Sequence, residues 1–338
     1  MRGQVSTPFH WIYVLVAGAI ILLFFIGLVA QQRETSEKEL SVTVSRKLDG
    51  IFTGASLSEQ TVNVVDVPEL KFSFSCDKDD ASTYTVGDGS PQPIAFQPFF
   101  ASDVVTTKLI TWTLEFNMPY KIINLLFIGS PDIATYVVYD DFNRHVMEDI
   151  MSTVPAQFGF RQVHVNDFPA VEGDFVKLIF VTNAMLPAAL PELPDEHVRV
   201  VQISPGTATY YTKSGARLEK EDDVVVLSSF DRKNPAFYAA LFSDSAESYR
   251  CGMRKAFKRM SILADIYNER AKEIMLNYPS NHECRLRYQA SQGMFSTLKQ
   301  AISSCSSSDT CFVNILSSAS DMRDKNTELQ ENQCAALY

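Results

Sequence analysis

Small polar residues follow several of the apolar runs in this chain. Gly129-Ser130 follows Ile122–Ile128, Thr182-Asn183 follows Phe175–Val181, and Ser204 follows Val198–Ile203. Asn166-Asp167 and Ser228-Ser229 end two further runs. In an open α/β sheet, ligands bind outside the carboxyl ends of the strands. That rule makes Ser130, Asp132, Asn183 and Ser204 the candidate ligand-binding set, with Asp132 as the carboxylate of such a crevice. The same residue types also serve as plain turn formers. Catalytic signatures are missing: the chain has no GxxxxGK[ST], no GxGxxG after a strand, no GxSxG and no HExxH. Its five histidines, His10, His145, His164, His197 and His282, are scattered. Asp140-Asp141 and Asp222-Asp223 are adjacent pairs, whose side chains point apart on a helix or strand, so they read as solvated charges. The acidic run Asp77-Lys78-Asp79-Asp80 lacks the spaced ligands and glycine of an EF-hand loop. No catalytic residue, metal site or cofactor is expected, and an enzyme is the less favoured reading.

The elements that would position these residues change character along the chain. Leu40, Val44, Leu48 and Ile51 recur at helical spacing after residue 34, which predicts a stalk helix over 31–57. Residues 58–118 alternate like half-buried strands and predict a small β-rich module. Residues 119–243 carry short continuous apolar runs, as buried strands do, with a helix over 139–154. They predict a Rossmann-like α/β domain with one crossover helix. Residues 244–338 have helical periodicity, with helices at about 246–276 and 283–303 and a third capped by Asp309. Short connections make these helices antiparallel, a helical hairpin at the C-terminus.

That arrangement bears on the six cysteines, Cys76, Cys251, Cys284, Cys305, Cys311 and Cys334. Cys284 opens the second helix and Cys334 ends the third, so the two are expected to pair. Cys251 is expected to pair with Cys305 or Cys311, and the remaining cysteine with Cys76. An even set with no zinc spacing suits disulfides, and hence an oxidising compartment.

The N-terminus sets the expected location. Residues 11–30, WIYVLVAGAIILLFFIGLVA, carry no charge, and about 20 such residues match the hydrocarbon core of a bilayer. A transmembrane helix is therefore predicted at 11–30, after a tail at 1–10. The expected partner is the lipid bilayer, in a single-pass protein with its C-terminal domains extracytoplasmic. Before it, Arg2-Gly3-Gln4-Val5-Ser6 resembles the class III signal of archaeal type IV pilin-like proteins, which is cut after the glycine. The resemblance covers about the first 30 residues, and Pro8 stands where that family carries a glutamate. The segment Thr7-Pro8-Phe9-His10-Trp11 is similar to that of a group of archaeal single-pass membrane-anchored proteins, from which no function carries over.

Lys+Arg is 30 against Asp+Glu 40, a net charge of −10. That balance argues against a nucleic-acid partner, which calls for a basic face. The sequence thus predicts a mixed α+β and α/β chain working as a cell-envelope structural or interaction protein, with a protein partner in the envelope. A small-molecule binder or hydrolase-like enzyme using the strand-end crevice is the alternative, and a pilin-like subunit a third.

Overall fold

The computed structural model describes residues 6–76, 81–94, 97–167, 173–182, 186, 193–226, 234–306 and 310–338. The candidate Asn183, the acidic run 77–80, Ser228-Ser229, Asp309 and the signal-like residues 2–5 lie outside the described residues.

The first element, α1, is a single helix of 52 residues, Ser6–Leu57. Its C-terminal half carries the predicted stripe. Val44, Leu48, Phe52 and Ala55 are buried against the first sheet and share a core with Phe72, Tyr84, Leu109 and Leu126. The predicted stalk is thus a packed helix, because its apolar face has a sheet to cover. Tyr84 fixes the contact further by donating from its hydroxyl to Ser45 O and Asp49 Oδ1.

The membrane expectations are corrected. Among the described residues, no helix is long and apolar enough to cross a membrane, against the predicted transmembrane helix at 11–30 and the single-pass localisation.

Two six-stranded sheets follow, in place of the predicted β module and separate Rossmann-like domain. The first contains β1 (Val62–Cys76), β2 (Ser82–Val86), β3 (Gln92–Pro93), β4 (Phe99–Ala101), β5 (Val104–Asn117) and β6 (Lys121–Gly129), in the order β3-β2-β1-β5-β6-β4. It is antiparallel except where β4 runs parallel to β6. The predicted boundary near residue 118 gave 121–129 to the α/β domain, but β6 pairs with β5 in the first sheet.

The second sheet contains β7 (Ile133–Tyr139), β8 (Arg161–His164), β9 (Phe175–Val181), β10 (Val198–Ser204), β11 (Thr207–Ser214) and β12 (Arg217–Val225). Its order is β12-β11-β10-β9-β7-β8, with β8, β7, β9 and β10 parallel. The helix α2 (Arg144–Thr153) crosses between β7 and β8 and buries Val146, Met147 and Ile150. The hairpin β11–β12 extends the sheet antiparallel.

Between the sheets lies α3 (Pro235–Phe242), capped by Asn234 with proline at its first turn and buried along its whole length. Phe242 and Tyr238 pack there with Trp112, Phe127 and Phe158. The helices α4 (Ala246–Leu276), α5 (Glu283–Ser303) and α6 (Thr310–Glu331) complete the same core. Ser245 caps α4 by accepting from Ser248 N, and Pro279 follows its end.

Three disulfides staple the fold. Cys284–Cys334 forms as expected, with Cα atoms 5.6 Å apart. The other pairings differ from expectation: Cys76 joins Cys251, and Cys305 joins Cys311. The reason for the first is the seat of α4 on the first sheet. Gly252 lies against the Phe100 ring, where a Cβ would come within 2.5 Å of it. That close approach holds the neighbouring Cys251, fully buried, beside the end of β1.

Candidate functional site

Ser130 and Asp132 do come together, but as a turn lock between the sheets. Ser130 Oγ lies 2.7 Å from Thr106 Oγ1 and accepts from Asp132 N, and Thr106 Oγ1 donates to Asp132 Oδ2 at 2.6 Å. Ser130 is buried, and both residues precede β7, at the amino end of the parallel strands. Ser204 ends β10 at the opposite edge, where it pairs with Thr207 in a tight hairpin. Six residues of strand, about 20 Å, separate the two edges. The described members of the predicted set therefore do not converge on one crevice. Nor are the adjacent aspartates all simply solvated. Asp140 accepts from Asn143 N and Thr182 Oγ1, and Asp222 pairs with Arg250 to tie β12 to α4.

A different crevice, of about 380 Å³, opens at the amino ends of β7, β9 and β10. On its first-sheet side stand Lys71 of β1, with Ser102 and Asp103 from the β4–β5 turn. On the second-sheet side stand Lys177 of β9, with Glu196, His197 and Arg199 at the start of β10. Val105, Ile133 and Phe175 supply an apolar flank, and the Phe175 and His197 rings stack with centroids 4.4 Å apart.

The floor of this crevice is a buried ion pair. Lys177 and Arg199 are register neighbours on parallel strands, so their like charges lie on one face of the sheet. Asp244, just before the α4 cap, resolves the repulsion. Its Oδ1 accepts from Lys177 Nζ at 2.9 Å, and its Oδ2 lies 3.6 Å from Arg199 Nε. Lys177 Nζ also donates to Ser102 Oγ and to the carbonyls of Phe242 and Ser243, each at 3.0 Å. Among the described residues its hydrogen-bond partners are four acceptors, which favour the ammonium, while burial pushes its pKa down and Asp244 draws it back up. The ammonium thus joins both sheets to the α3–α4 junction.

Asp103 has an environment of its own. Burial pushes its carboxyl up; the Phe74 N–H, 2.8 Å from Oδ1, opposes that, Asp244 adds to it, and Arg199 and Lys71 draw it down. Nothing in the sequence reading singled out Lys71, Asp103, Arg199 or Asp244. Lys177 did leave a signal, as the lone charge inside the strand FVKLIFV, because a lysine there must find a buried partner.

Among the described residues, no group of three or more His, Cys, Asp or Glu side chains is placed to hold a metal ion. The fold and site together define a disulfide-stapled α/β body with a charged inter-sheet crevice and a long N-terminal helix. Comparison of the chain with protein-family models, with curated proteins and with solved structures found no match in any of the three.

Proposed function

We propose that this chain is a structural or interaction protein of the cell envelope that docks through the N-terminal half of α1, with the same segment of further copies as its partner. One observation carries the reading. The described side chains of residues 13–28 stand exposed, among them Leu15 at 69%, Leu23 at 66% and Phe24 at 65%, whereas the C-terminal half of the same helix buries one face, Val44, Leu48, Phe52 and Ala55, in the body. A contiguous apolar surface of that size on a soluble body marks a place where another surface sits. A stripe that is apolar all round a helix suits a bundle of like helices better than a one-sided groove. The likeness of the N-terminus to pilin-like signals supports the same arrangement, and the three disulfides suit an oxidising compartment.

The test is the oligomeric state of the full chain by sedimentation velocity, beside the variant Leu22→Glu/Phe25→Glu. Both positions are about 60% exposed, so the charges leave the folded core untouched. The native chain is expected to run as higher oligomers. The variant should run as a monomer with unchanged circular dichroism, since two carboxylates inside a helix bundle are strongly unfavourable. A native chain that stays monomeric, with residues 13–28 covered by detergent or lipid alone, overturns the proposal. So does a variant that assembles like the native chain.

A further inference from the structure

We infer that the crevice at the amino ends of β7, β9 and β10 is a binding site for a small organic monocarboxylate with a short apolar or aromatic body. This site is independent of the α1 docking surface.

The argument begins with which charges are already spent. Lys177 has four acceptors around three N–H groups, and Asp244 is taken up by Lys177, Arg199 and Ser102. That pair is neutral and saturated, so it forms the floor and not the recognition element. Two cations above it are not saturated. Lys71 makes no ion pair or side-chain hydrogen bond among the described residues. Arg199 is about one-third exposed. It commits Nε to Asp244 and one terminal nitrogen to Val198 O at 3.3 Å, which leaves further N–H donors of its fork open. The two come from opposite sheets and both line the opening. An anion between them would receive one hydrogen bond from a flexible ammonium and one or two from a planar fork, the donor set that suits a carboxylate.

The carboxylates of the crevice limit the ligand's charge. Asp103 lies inside the crevice, where its carboxyl opposes an excess of negative charge. Glu196 is exposed at the rim and repels a second negative charge. Lys71 and Arg199 face Asp103 and Glu196, so the crevice has no surplus of positive charge to hold a phosphate dianion, and a monoanion suits it better. Val105, Ile133 and the stacked Phe175–His197 pair then offer an apolar wall for the rest of the molecule.

The experiment is isothermal titration of the full, oxidised chain with benzoate, butyrate and inorganic phosphate, repeated on Lys71→Gln. Lys71 is solvent-exposed on its strand, so this variant is expected to fold normally, with an unchanged melting temperature as the control. Benzoate or butyrate should bind at least about tenfold more tightly than phosphate. Lys71→Gln should weaken that binding about tenfold, the value of one charge-assisted hydrogen bond. Three results overturn the inference: no heat from either carboxylate up to tens of millimolar, phosphate binding as tightly as benzoate, or carboxylate binding that Lys71→Gln leaves unchanged. None of them bears on the assembly of α1.

Discussion

Asp244→Ala is expected to destabilise the fold by about 3–5 kcal/mol, the cost of leaving one buried charge without its partner. Asp244 is the only carboxylate within ion-pair distance of Lys177 among the described residues, and Lys177 is only about 6% exposed. Once the carboxylate is gone, the ammonium keeps three neutral acceptors but faces Arg199 across the β9–β10 register with nothing between them. The double variant Lys177→Met/Asp244→Ala should recover most of the loss, because a buried pair removed together is often close to neutral. Urea unfolding of the three chains measures this. A single variant within about 1 kcal/mol of the native chain, or a double variant no better than the single one, would mean that Asp244 does not hold the ammonium.

The second large effect concerns the longest staple. Cys76 and Cys251 are 175 residues apart, and loop closure of that length corresponds to about 5 kcal/mol in the chain-entropy account. The same account gives about 4 kcal/mol for the 50-residue separation of Cys284–Cys334, and about 2 kcal/mol for the six-residue separation of Cys305–Cys311. Paired Cys→Ser variants should therefore lose thermal stability in that order. The position of Cys76–Cys251 adds to its effect, because it fastens α4 to the end of β1 beside the Gly252–Phe100 contact. If the Cys305–Cys311 variant proves the least stable of the three, loop length is not what these bridges contribute.

Parts of this architecture were legible in the residues. The apolar spacing marked the helices at about 246–276 and 283–303, which are α4 and α5. The stripe Leu40-Val44-Leu48-Ile51 marked a helix, but periodicity names a buried face without naming what covers it, and the cover proved to be the first sheet. The place of β6 was misread although a local signal existed. Only residues 118–120 join β5 to β6, and so short a connection permits antiparallel pairing alone, since a parallel crossover needs a dozen residues or more. The cysteine pairing failed for a different reason. Helix ends alone put Cys251 near Cys305 and Cys311, and the seat of α4 on Phe100 is a tertiary contact that no local pattern encodes.

The site was less legible than the fold. The strand-end rule looked to the carboxyl edge, while the charged crevice formed at the amino edge, where a second sheet closes over it. Lys71 and Asp244 are distant in sequence and look like ordinary surface charges. Only the meeting of two sheets and the α3–α4 junction makes them neighbours of Lys177 and Arg199.

The central claim is that α1 docks on its own kind. Its most direct measurement is photo-cross-linking from a benzoyl-phenylalanine placed at residue 22 of the full chain, followed by peptide mapping. The account predicts covalent dimers whose cross-links join residue 22 to positions within 13–28 of a second copy. A chain that yields only monomer, or cross-links that map to the folded body or to lipid, would contradict it.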